Sequence, residues 1–139
     1  PGCFGVVVAM LRAFVNAVDR VTVRLVVDAF NLYLDDQWQY LTTLRQFPVE
    51  QIFVYNLDDA DHLPLATLEH CHRLVPGNGV IPPHEITHEL VQKGYEGTCS
   101  PELFNPGYRQ TAASQLLARA AGRHRPPLTR YWFRVQRRQ

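Results

Sequence analysis

Three polar side chains, Asp28, Asn56 and Glu102, stand at or near the ends of three apolar runs that read as strands. A carboxylate, an amide and a second carboxylate so placed could hold a ligand or move a proton. Taken singly, Asp and Asn often start turns and a Glu can cap a loop. At equivalent positions in three successive units they are a stronger signal, because ligands of parallel α/β folds bind at the strand C-termini. A second constellation is HEITH at 84–88, which satisfies the zinc-peptidase pattern HExxH. His84 and His88 at i and i+4 share a helix face and could bind one Zn²⁺, with Glu85 as general base. Against this, Pro82 and Pro83 put His84 in a first helical turn, no GxxH continuation follows, and neither Glu96 nor Glu102 lies on an obvious second helix. His70 and His72 flank Cys71, but neighbours on a helix point apart, so they read as surface histidines. PGNG at 76–79 lacks the Lys-Ser/Thr of a phosphate loop and reads as a turn, and Tyr95 and Phe104 read as core.

The elements that must position these residues follow from periodicity. Residues 7–18 carry apolar side chains around most of a helix, which predicts a largely buried one. VTVRLVVDAF at 21–30 is β-branched and nearly continuous in its apolar run, as suits a strand covered on both faces. A short helix over 37–46 is stopped by Pro48, and QIFVYNL at 51–57 reads as a second buried strand before the acidic loop Asp58-Asp59-Ala60-Asp61. A short helix around 64–71, a Pro/Gly-dense loop at 73–83 and a helix over 84–93 ending at Gly94 come next. GTCSPELF at 97–104 is a third strand, weakened by Pro101, and an Ala/Leu-rich helix covers 109–121. Strands alternating singly with helices predict an α/β protein with a parallel sheet.

Composition bounds the rest. The chain has 139 residues and is 46% apolar, enough for one core and unlike a disordered segment. The apolar runs at 4–11 and 23–34 fall short of the roughly 18 to 20 residues that a membrane span needs. Cys3, Cys71 and Cys99 are odd in number and lack a CxxC pair, which fits a reducing compartment. A soluble, cytoplasmic chain is the expectation. Charge is uneven: residues 123–139 hold six Arg and no acid, leaving eight Lys and Arg against thirteen acids in 1–122, about −5. The basic, aromatic tail 123–139 is expected to be disordered, and the acidic body does not look like a nucleic-acid domain. Pro1 in place of Met leads to the expectation of a cut or processed chain, an incomplete piece of a larger α/β protein.

Four stretches in order, LVVDAFNLY (25–33), QIFVYNLDDA (51–60), HRLVPGNGVIPP (72–83) and GYEGTCSPELFNPGY (94–108), resemble the sugar phosphate isomerase/epimerase family with the xylose isomerase-like TIM barrel. The nearest type is inosose isomerase and tagatose/psicose epimerase. The resemblance runs from about residue 9 to 120 and implies a partial (β/α)8 TIM barrel, about the last three β/α units plus a preceding helix, within residues 1–122.

The family's chemistry, as the resemblance implies it, uses one divalent ion (Mn²⁺, Mg²⁺, Co²⁺ or Zn²⁺) that polarises a hydroxyketone while glutamates move a proton at the adjacent carbon. Asp28 matches the Asp ligand, and Glu102 matches the second Glu, ligand and acid/base at once. Asn56 stands where the family has a His ligand. Asn31 replaces the substrate-binding His of the DxFH motif, and Arg73 sits where an Arg contacts substrate hydroxyls. The first Glu has no counterpart. The implied metal set is therefore Asp28, Asn56 and Glu102, around an ion that this chain could have lost. The expectation is a sugar (phosphate) or inosose isomerase/epimerase-like protein, inactive as the isolated chain and completed by the missing N-terminal barrel half. The alternatives are a non-catalytic remnant that self-associates through its open sheet edges and, behind it, a zinc metalloprotease using HEITH.

Overall fold

Leu25–Asp28 forms the first strand, β1, and α1 follows at once over Ala29–Asp35. The strand expected over 21–30 therefore ends two residues early. The cause is Asp28, whose Oδ1 accepts the Asn31 N–H at 2.8 Å and so caps the helix on its first turn. The computed structural model describes residues 24–35 and 40–112, with 13–14, 17–18, 114–116 and 118 besides. Most of the helix expected over 7–18 and the tail 123–139 lie outside the described residues. Where that first helix is described, Phe14 is 58% exposed, contrary to the burial expected of it.

Helix α2 (Tyr40–Gln46) leads through a 3₁₀ turn at Val49–Gln51 into β2 (Ile52–Asn56). The helix expected around 64–71 is instead two 3₁₀ turns, Leu65–Thr67 and His70–His72. Between the acidic loop and the Pro/Gly loop, Asp59–Ala60 (β3) and Arg73–Leu74 (β4) pair antiparallel as a short ribbon, which periodicity did not predict. Helix α3 (Pro83–Gln92) opens with its proline in the first turn, where no N–H is needed, and stops before Gly94 at φ 77°. Strand β5 is only Thr98–Ser100, cut short ahead of Pro101. A 3₁₀ turn, Pro106–Tyr108, opens the region where the last helix was expected.

The main sheet has the order β1-β2-β5 and is parallel throughout. Asp28 lies opposite Asn56, and Asn56 opposite Ser100. This register, with Glu102 two residues beyond Ser100, sets the three candidate residues side by side. The architecture is a partial α/β barrel, as expected. Phe30, Leu44, Ile52, Tyr55, Leu57, Ile86 and Leu90 pack into one core. Ile86 and Leu90 are four residues apart on α3, so one stripe of that helix is buried, worth on the order of 2 kcal/mol per side chain. Helices α2 and α3 are joined by Arg45 Nε on Glu89 Oε2 at 2.9 Å and Lys93 Nζ on the Arg45 carbonyl at 3.0 Å. Among the described residues no helix is long and apolar enough to cross a membrane.

Candidate functional site

The site is built from two directions. The parallel sheet delivers Asp28, Asn56 and Glu102 to one end, and the β3–β4 ribbon delivers Arg73 across from them. The ribbon owes its shape to Asp59, a fully buried carboxylate. Its Oδ2 accepts the Gly77 and Gly79 N–H groups at 2.9 and 2.8 Å, and its Oδ1 accepts those of Ile81 and Ala60 at 2.8 and 2.9 Å. A carboxylate has about four acceptor positions, and here all are filled by backbone donors. The PGNG run is thereby a tight turn, with Gly77 at φ 85°. Gly79 comes so close that a Cβ there would lie 1.9 Å from the Ala60 carbonyl oxygen.

Arg73, pinned in β4 opposite Ala60, is 1% exposed. Its Nη1 donates to Asp28 Oδ2 at 2.7 Å, makes a very short contact with Asp58 Oδ2, and lies 3.6 Å from Glu102 Oε2. Its Nη2 is 3.2 Å from His70 Nδ1. The guanidinium stacks near two rings, 4.8 Å from the Phe30 centroid and 5.5 Å from that of Phe104. Asn56 Nδ2 stands 3.1 Å from Glu102 Oε2 and 3.5 Å from Asp28 Oδ2.

The sequence-predicted residues thus converge, with one qualification. Asp28, Asn56, Arg73 and Glu102 form one network, whereas Asn31 reaches it only through its backbone N–H and its side chain is exposed. Asp58 was read only as part of an acidic loop, yet it is a member of the cluster. It is fully buried, its Oδ1 accepts the Glu102 N–H at 2.7 Å, and burial pushes its carboxyl up to about 7. That backbone bond and Arg73 both pull the other way. The double acid at 58–59 was the signal available: two adjacent carboxylates after an apolar strand, one for the loop and one for the site. His70 is exposed as expected but belongs to the cluster through Arg73. Phe104 is a correction: it is 54% exposed and leans over the guanidinium, while Tyr95 is core as expected.

HEITH does not assemble a second site. Glu85 and His88 are exposed on α3, while Ile86 and Thr87 between them turn inward. The His84 side chain lies outside the described residues. Among the described residues no group of three or more His, Cys, Asp or Glu is arranged so that it could hold a metal ion.

Nor does the donor set at the strand ends suit a divalent ion as arranged. Asp28 has spent Oδ1 on the Asn31 amide and Oδ2 on Arg73 and Asn56. Asn56 turns its NH₂ toward both carboxylates, so its oxygen faces away from them. The place where the carboxylates converge already holds a guanidinium. Like charges at about 4 Å repel by roughly 4 kcal/mol per unit charge at an effective dielectric near 20. What the cluster can do is hold a partly exposed carboxylate, Glu102 at 43%, beside a buried cation. That pairing is suited to proton transfer and to binding polar, hydroxyl-bearing ligands.

Comparison with known proteins agrees with this architecture. The inosose isomerase of Halalkalibacterium halodurans is 32% identical over 106 residues, covering 76% of this chain and 37% of the relative. That of Bacillus velezensis is 29% identical over 120 residues, covering 86% of this chain and 42% of the relative. The chain therefore spans about two fifths of the length of the curated relatives it matches. Among solved structures, a crystal structure of the IOLI protein with a bound zinc atom superposes with a TM-score of 0.68 at 30% identity, over 78% of this chain and 38% of that one. The family model for the xylose isomerase-like TIM barrel matches residues 1–124, and the chain belongs to that family.

Proposed function

We propose that residues 1–122 form the C-terminal portion of an isomerase/epimerase-like barrel acting on an inosose or related polyhydroxy ketone. The observation that carries the reading is the convergence of Asp28, Asn56, Arg73 and Glu102 at one end of the parallel sheet. Glu102, the partly exposed carboxylate, takes the proton from a carbon next to a carbonyl and returns it to carbon on the resulting enediolate. Arg73 is the nearest cation to the oxygen on which charge develops. Asn56 orients the Glu102 carboxylate through its amide at 3.1 Å. The similarity to inosose isomerases supports the substrate class.

On this reading the isolated chain does not turn over, because a closed barrel needs strands beyond these three. Val26 shares a sheet face with Asp28, two residues away, and is 57% exposed. In a closed barrel that face is packed by layers of side chains from the other strands. The partner is an N-terminal barrel half, and self-association through the open sheet edges is the second reading. Among the described residues Cys71 and Cys99 are free thiols, which suits a reducing, cytoplasmic setting.

Deuterium incorporation into an inosose in D₂O, followed by proton NMR, tests the proposal. The chain is assayed alone and mixed with the N-terminal portion of the Halalkalibacterium halodurans enzyme. Exchange is expected only in the mixture and is expected to vanish with Glu102→Gln. A stable mixed complex that exchanges no deuterium would sink the enzyme reading.

A further inference from the structure

Three carboxylates meet at the end of the sheet, and the group at their meeting point is a protein side chain. Arg73 Nη1 is within 2.7 Å of Asp28 Oδ2, in very close contact with Asp58 Oδ2, and 3.6 Å from Glu102 Oε2. Arg73 and Asp58 are buried to 1% and 0% exposure, and only the Glu102 carboxylate reaches solvent. Asn56 adds a second donor between Asp28 and Glu102, and with two carboxylates as its nearest neighbours only the NH₂ end can face them. Asp28 Oδ2, Asp58 Oδ2 and Glu102 Oε2 are thus each already met by a nitrogen donor.

We propose that Arg73 is the resident cation of this site, holding by its guanidinium the place a divalent ion would need, so that the chain excludes such an ion as long as Arg73 is charged and in position. The residues themselves carry the inference. The carboxylates need a positive charge, since three anions at this spacing are not stable alone. A guanidinium meets that need with directed donors. It is also held from outside the cluster by β4 pairing, by the His70 contact at 3.2 Å, and by the Phe30 and Phe104 rings. An ion could enter only by displacing a side chain fixed on all these sides. The consequence is a latent cation site, with Asp28, Asp58 and Glu102 as its hard oxygen donors, that opens when the guanidinium is removed. The inference is independent of whether the completed barrel turns over, since its readout is ion binding.

The test is Mn²⁺ titration calorimetry on the full chain, wild type against Arg73→Met. Methionine keeps a stem between the two rings and removes the charge. No saturable uptake is expected in the wild type. One ion per chain is expected in Arg73→Met, on the order of 100-fold or more tighter than any residual, non-saturating uptake by the wild type, with Arg73→Lys close to wild type. Adding Glu102→Gln to Arg73→Met should weaken that uptake again. One-site binding by the wild type that Glu102→Gln abolishes would overturn the proposal, and so would a folded Arg73→Met chain that takes up no ion. If Arg73→Met does not fold, the wild type decides alone: a Tm indifferent to Mn²⁺ and to chelator supports the proposal, and a Mn²⁺-dependent rise lost in Glu102→Gln refutes it.

Discussion

Asp58 joins Glu102 to Arg73: one carboxylate oxygen accepts the Glu102 backbone N–H at 2.7 Å while the other contacts the guanidinium. The loop after β2 and the segment after β5 are locked by a single side chain, 44 residues from its amide partner. The short strand β5 gains from this tie, because Pro101 denies the ladder a further donor next to Glu102.

Removing that link should be costly. Asp58→Ala leaves both a buried guanidinium short of one counter-charge and an amide without its acceptor. A loss of about 3–5 kcal/mol is expected, read as a fall in the urea midpoint at constant m-value. Asp58→Asn keeps an acceptor for the Glu102 amide and should cost clearly less. Equal losses in the two variants would mean that the backbone bond contributes nothing.

Asp59 predicts a different signature, local and not global. With Asp59→Ala, the N–H groups of Gly77, Gly79 and Ile81 lose their acceptor together. Amide exchange at those positions should rise by on the order of 100-fold, and stability should fall by about 3 kcal/mol. Unchanged protection at Gly77 and Gly79 would remove Asp59 from the account of how Arg73 is placed.

Two glycines separate crowding from backbone conformation. Gly94 has φ 77° and nothing within 4 Å of where an alanine methyl would stand, so Gly94→Ala should cost only the left-handed penalty, about 1 kcal/mol. Gly79→Ala would drive a methyl to 1.9 Å from the Ala60 oxygen and 2.6 Å from Asp59 Oδ1, and should cost about 3 kcal/mol or more. Thermal unfolding of both variants gives the comparison, and a Gly79→Ala chain as stable as Gly94→Ala would contradict the close approach.

Burial pushes the Cys99 thiol up to about 12 from an ordinary 9.0, and the Tyr95 phenol up to about 12 from 10.0. The unfolded chain therefore releases these protons first as pH climbs. Their contribution is intact below pH 9 and falls away between pH 9 and about 12, so stability declines through that window. At pH 8 a disulfide reagent should modify Cys71 and leave Cys99 until the chain unfolds. Cys99 labelling at the rate of a free thiol in the folded chain would contradict this.

Much of this arrangement was legible in the residues. The β-branched runs located β1 and β2, Gly94 marked the end of α3, and equivalent strand ends brought Asp28, Asn56 and Glu102 together. What stayed hidden depends on partners far along the chain. Asp59 looks like a loop residue, and Arg73 stood out only through the family resemblance, because two-residue strands carry no periodicity and the burial of each is explained only by the groups it meets. Asp58 hides for the same reason, since its burial depends on Arg73 and on the Glu102 amide. Phe104 reads as core by type, and only the position of the guanidinium explains a half-exposed ring there.

The order of assembly follows from the Asp59 knot. Its bonds close loops of at most 22 residues, whereas the Asn56–Glu102 contact closes one of 46. Shorter loops cost less entropy to close and form sooner. The ribbon that carries Arg73 is then expected to be in place before Glu102 arrives. The last acid of the cluster would dock onto a guanidinium already seated, and pulsed amide labelling of Gly79 against Leu57 during refolding would read that sequence of events.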